Sequence, residues 1–151
     1  MKKLLSVLLF LFISIYSFGQ LKITDVGDGW KNKVDSALKI IQTYDIEKYN
    51  VILETCTLIG YWNESFSTTE GDSVILISTK DINNESINNI AAILVHESMH
   101  LYIKQLYAKV NPNREETICY VYELNFLYKV PNVEPWLIEN ATSKIKYYSK
   151  G

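Results

Sequence analysis

Histidine is almost missing from this chain. Of its 151 residues only two are histidines, His96 and His100, and both fall in one short stretch. Cysteine is as scarce, with Cys56 and Cys119 alone. There is no cluster of lysine and arginine: 15 basic residues face 17 acidic ones, for a formal net charge of −2. That lack argues against nucleic acid and anionic membrane surfaces as partners, since both are bound through a concentrated positive field. Internal repeats and low-complexity segments are lacking too. With 48% hydrophobic and 13% aromatic residues, the composition excludes an intrinsically disordered chain. Beyond residue 20 no apolar run is long enough to cross a bilayer.

The one long apolar run stands at the start. Lys2 and Lys3 form a positive region, Leu4 to Phe18 is an apolar run of 15 residues, and Ser17-Phe18-Gly19 puts small residues at the −3 and −1 positions of a cleavage site. The pattern predicts a secretory signal peptide over residues 1–19. The run is short for a membrane span and is interrupted by Ser6, Ser14 and Ser17. No cysteine near the cleavage point offers a lipid attachment site. Residues 20–151 are then expected to be one exported domain, periplasmic or secreted, with no stable membrane anchor. Loss of Lys2 and Lys3 leaves 13 basic against 17 acidic residues, a net charge of −4. Asn63, Asn84 and Asn140 sit in N-x-S/T triplets, which matter only in a host that glycosylates them.

Both histidines belong to Val95-His96-Glu97-Ser98-Met99-His100, an H-E-x-x-H stretch. Apolar flanks (Ile87, Ile90, Ala91, Ile93, Leu94) predict a helix around it. Residues four apart lie on one helical face, and four steps of rise separate the two imidazoles by roughly 6 Å along the axis, close enough to grip one ion. Glu97 points about 100° round the same helix, beside such an ion rather than onto it. Zinc peptidases use this arrangement: two neutral imidazole nitrogens and a third ligand hold the metal, and the carboxylate takes a proton from water. With both histidines committed there, neither cysteine has a partner for catalysis.

These residues resemble the zincin-type metallopeptidases, and among them the gluzincins, whose third ligand is a glutamate on a downstream helix. The metzincin pattern needs Gly and His three and six residues after the second histidine, where this chain has Ile103 and Leu106. The likeness covers roughly Val74 to Tyr128. It implies an exported zinc-dependent peptidase with one Zn2+ per chain and a peptide or protein substrate. It further implies a small α+β domain in which a short antiparallel sheet packs on a central HExxH helix, with further helices around it. On this likeness Glu116, 16 residues after His100, is the third ligand and Glu97 the general base. Glu115 and Glu123 remain alternatives for the ligand, and Glu123 could instead hydrogen-bond a ligand histidine. The spacing also allows a structural role for Glu116, at the capping-box position of a helix begun by Asn113.

The chain departs from the family in two respects. It has no third histidine to stabilise an oxyanion, which leaves Tyr120 or Tyr122 to serve. The carboxylate found four residues after the family's ligand glutamate is replaced by Tyr120. The competing reading is a non-catalytic zincin-fold binding module of the cell envelope, with structural metal or none. The small size favours it, and Glu97, which a structural site does not need, speaks against it.

Taken in order, the chain predicts a helix from Gly29 or Trp30 to Tyr44, capped by Asp28, with Trp30, Val34, Ala37, Leu38, Ile41 and Tyr44 as its core face. It predicts strands over Asn50–Tyr61 and Ser73–Thr79, paired antiparallel across a polar connection, either of which could offer a substrate-binding edge. The metal helix should open at Ser86, or at Asp81, and run to about Lys109. Asn89, Ile93, His96, His100 and Tyr107 form one stripe along it. Helices over Arg114–Tyr128 and from Pro135 onward complete the domain. Cys56 and Cys119 could close a loop of roughly 60 residues, worth about 4 kcal/mol, or stay as buried free thiols.

Overall fold

The computed structural model describes residues 21–24, 26–27, 29–84, 86–106 and 109–150. The expected signal peptide, the Asp28 cap and Tyr107 lie outside them. Among the described residues the order is β1 (Lys22–Ile23), α1 (Trp30–Tyr44), α2 (Ile46–Thr55), β2 (Leu58–Trp62), β3 (Thr68–Glu70), β4 (Val74–Ser78), α3 (Thr79–Asn84), α4 (Ile87–Gln105), α5 (Pro112–Leu127) and α6 (Pro135–Tyr148). The class is α+β, with six helices and one four-stranded sheet.

The sheet is mixed, in the order β1-β2-β4-β3. Contrary to expectation, β2 and β4 pair in parallel, with Leu58 opposite Val74 and Trp62 opposite Ser78. The polar connection between them contains the short strand β3, which runs antiparallel to β4 on its outer side. The chain therefore turns back twice between β2 and β4, and the second turn carries Gly71 at φ 57, a conformation glycine adopts without penalty. β3 was not foreseen because Thr68-Thr69-Glu70 shows no apolar alternation.

The expected strand over Asn50–Tyr61 divides into the end of α2 and β2. Asp45 caps α2, its side chain accepting from the Lys48 amide at 3.4 Å. The buried positions Lys48, Ile52 and Thr55 are spaced four and three apart, the period of a helix and not a strand. The Asp45 carboxylate is 3.4 Å from the Lys48 ammonium and 2.9 Å from that of Lys129, so two cations neutralise it although neither approach is aligned as a hydrogen bond.

Helix α4 begins at Ser86, whose hydroxyl accepts from the Asn89 amide at 3.1 Å, and packs against α1, α2, α5 and the sheet. Ile90, Ala91, Leu94, Val95 and Leu101 are fully buried on it. Its last helical residue is Gln105, four short of the expected end. Opposite it, α5 begins two residues earlier than expected. Asn111 is the cap and Pro112 the first helical residue, so Glu116 lies beyond the capping-box position and that structural role falls away. On α1 the core face is as expected except for Tyr44, which is 42% exposed. Cys56 and Cys119 are buried free thiols.

Candidate metal centre

Helix α4 presents His96 and His100 one turn apart toward α5, which answers with Glu115, Glu116, Cys119 and Glu123. The two Nε2 atoms lie 3.3 Å apart. Glu116 sets one oxygen toward each ring, Oε2 at 3.6 Å from His96 Nε2 and Oε1 at 3.5 Å from His100 Nε2. The other face of each ring nitrogen pair is held from outside. His96 Nδ1 is 3.0 Å from Glu123 Oε2, and His100 Nδ1 is 2.7 Å from Glu115 Oε1. Each Nδ1–H donates to its carboxylate, which in a neutral ring leaves the Nε2 lone pair free. Both lone pairs then belong to the space that Glu116 also faces.

This donor set fits a tetrahedral zinc ion. Nitrogen and oxygen ligands at roughly 2.0–2.1 Å from such an ion stand about 3.3–3.4 Å from one another; the two Nε2 atoms are at that separation, and each lies 3.5–3.6 Å from a different oxygen of Glu116. Of the three glutamates open from the sequence, it is Glu116 that faces both Nε2 atoms, while Glu115 and Glu123 each bond a histidine's other nitrogen. Position 120 carries a tyrosine, and the carboxylate on His96 Nδ1 comes from Glu123, one turn further on. The Tyr120 ring instead packs on His96, with centroids 4.3 Å apart.

Sequence reasoning missed Cys119 as a donor. Its sulfur and a ring nitrogen of each histidine lie within 4.8 Å of one another. The signal was in the spacing, since Cys119 is three residues after Glu116 and four before Glu123, on the face α5 turns to α4. Glu116 also comes close to both rings, with one carboxylate oxygen at 3.5–3.6 Å from each Nε2 atom. Burial, and then the carboxylates of Glu116 and Glu115, push the Cys119 thiol far above its ordinary pKa, so without a metal it stays protonated.

The electrostatics follow from burial. In the metal-free chain burial works to lower the His96 pKa, but the carboxylates of Glu116 and Glu123 beside the ring outweigh it and carry it up to about 9. The neighbouring His96 ring holds Glu116 below the usual carboxylate range. Glu97 is 8% exposed, and its burial raises its pKa against the pull of His96 and His100. A carboxylate raised in this way is a better proton acceptor than one free in water.

Glu97 and His96 form the floor of a cleft with two connected parts, about 490 and 370 Å³ in volume. The larger runs beside Thr68 and Thr69 of β3, past Glu115, Glu116 and Tyr148. The sheet edge beside the histidines is therefore β3, and neither of the strands expected from the sequence. Asn89, Ile93 and His96 of the expected α4 stripe line the smaller part, and His100 the larger. The chain matches no protein-family model and no curated protein.

Proposed function

We propose that this chain is an exported zinc-dependent metallopeptidase, with His96, His100 and Glu116 as metal ligands and Glu97 as general base. The observation that carries the reading is the convergence of the two Nε2 atoms and the Glu116 carboxylate on one point, with Glu123 and Glu115 fixing the rings from behind. A zinc ion held there supplies Lewis-acid chemistry: it polarises a carbonyl oxygen and lowers the pKa of water toward 7.

The chain's own residues do the rest. Glu97 takes a proton from the attacking water onto its carboxylate and delivers it to the nitrogen of the leaving amine. Glu123 and Glu115 hold the imidazoles in the tautomer that keeps Nε2 for the metal. The unpaired edge of β3 offers main-chain donors and acceptors to an extended peptide lying in the cleft. Tyr120, against His96, closes one wall.

Glu97→Gln tests the reading. The change should lower kcat/KM for peptide cleavage by about 10²–10⁴-fold while leaving zinc content and circular dichroism unaltered. Undiminished cleavage would remove Glu97 from the mechanism. A chain that binds zinc but cleaves no peptide would leave the site as that of a binding module.

A further inference from the structure

The two parts of the cleft differ in charge. The larger carries Lys104, whose ammonium is bonded to the Thr69 hydroxyl at 2.5 Å. Among the described residues the smaller has no lysine or arginine in its lining. Its lining includes Phe66, Trp136, Asn89, Asn140 and Asp81.

These walls are built and not merely exposed. The segment 63–67 is fastened at several points. Trp62 Nε1 donates to the Phe66 carbonyl at 2.8 Å, and Ser78 Oγ donates to the Glu64 carbonyl at 2.6 Å. Ser67 Oγ donates to Asp81 Oδ2 at 2.6 Å and accepts from the Ser78 amide at 3.0 Å. The Trp62 ring meets Phe66 edge-on, with centroids 5.5 Å apart. Phe66 is thus held 57% exposed at the cleft, and Trp136 on α6 is 43% exposed. Asp81 pairs with no cation among the described residues. Its only hydrogen bond among them is the one from Ser67.

We propose that the smaller part of the cleft is a specificity pocket for a cationic side chain, lysine or arginine, of the peptide substrate. The inference rests on the peptidase reading and names its substrate class. A guanidinium or ammonium there lies against two aromatic faces, which attract cations. The amide oxygens of Asn89 and Asn140 accept its N–H groups, and Asp81 supplies a charge-assisted bond. At the Asp81 end of the pocket an acidic side chain would meet a carboxylate that no lysine or arginine of the described lining offsets. An apolar side chain would take water from the same polar groups and return no hydrogen bond.

The test uses the zinc-loaded Glu97→Gln chain, which holds peptides without turning them over. The probes are acetyl-Ala-Ala-X-Ala-Ala-amide peptides with X as arginine, citrulline or glutamate. Citrulline keeps the shape of arginine and loses its charge. The arginine peptide should bind about tenfold tighter than the citrulline one, and the glutamate peptide weakest. Adding Asp81→Asn, which keeps an acceptor oxygen for Ser67, should cut the difference severalfold. Trp136→Leu should weaken the arginine peptide without touching the 63–67 segment, and serves if the Asp81 variant folds poorly. Equal binding of arginine and citrulline peptides, or a preference undiminished by Asp81→Asn, would overturn the pocket. In parallel, the zinc-loaded wild-type chain is offered a proteome-derived peptide mixture. Cuts enriched for lysine or arginine at one flanking position support the proposal, and cuts without enrichment refute it while sparing the peptidase reading. No cuts alongside an intact arginine preference would refute the peptidase reading and spare the pocket.

Discussion

Glu115 and Glu116 are neighbours in sequence, and a rotation of about 100° between them separates their work. Glu116 faces the shared point between the Nε2 atoms, while Glu115 grips His100 from behind at 2.7 Å. Glu115→Gln or Glu123→Gln should keep an acceptor for the ring N–H and remove its charge. Each should weaken zinc binding by about 10–100-fold, measured by competition with a chelator of known affinity. Glu116→Ala should lose more than either. Cys119→Ser is expected to leave zinc stoichiometry unchanged, and the cobalt-substituted wild type to lack a thiolate-to-metal charge-transfer band. Such a band, lost in Cys119→Ser, would put the sulfur and not Glu116 in the third position.

Among the helices, α2 shows how the sequence was misread. Val51, Ile52, Thr55 and Thr57 suggest a strand by residue type. The spacing of the buried positions and the Asp45 cap decide for a helix instead. Residue type was outweighed because a buried face every three to four residues is what the core accepts there. Asp45 also carries charge. Burial works to raise its pKa, but Lys129 and Lys48 outweigh it and hold the carboxyl below its ordinary range. A depressed carboxyl pKa contributes stability at pH above the unfolded value, and that contribution is lost as pH falls through the folded one. Chemical denaturation should therefore show stability falling below about pH 4, with a smaller fall in Asp45→Asn. At neutral pH Asp45→Asn leaves Lys48, 10% exposed, without its counter-charge and should cost about 3 kcal/mol. The Lys48 contact with the Tyr122 ring, 3.8 Å from the centroid, offsets part of that loss. The long helices α1, α4, α5 and α6 were legible from their periodicity and from Ser86, Pro112 and Pro135. The strand β3 and the parallel pairing of β2 with β4 were not. A three-residue polar strand leaves no periodic signal, and without it the two-turn path between β2 and β4 reads as one long loop.

Across the whole molecule, the ligands proposed for zinc come from two helices that also share the core through Ile90, Leu94, Leu101 and Phe126. The HExxH pair was readable because both its histidines lie on one helix. The roles of Glu115, Glu116 and Glu123 were not, because they depend on the rotation of α5 about its axis, which packing fixes. A metal bridging α4 and α5 stabilises the folded chain by mass action. At zinc 100-fold above its dissociation constant the gain is about 2.7 kcal/mol, or about 5–10 °C in Tm. Chelation should reverse that shift, and re-addition of zinc should restore it.

The measurement closest to the central claim is the metal content of the purified chain by elemental analysis after dialysis against trace zinc, with His96→Ala and His100→Ala beside it. One zinc per chain in the wild type, and none in either variant, is the expected result. A folded wild-type chain that holds no metal after zinc has been offered would contradict it.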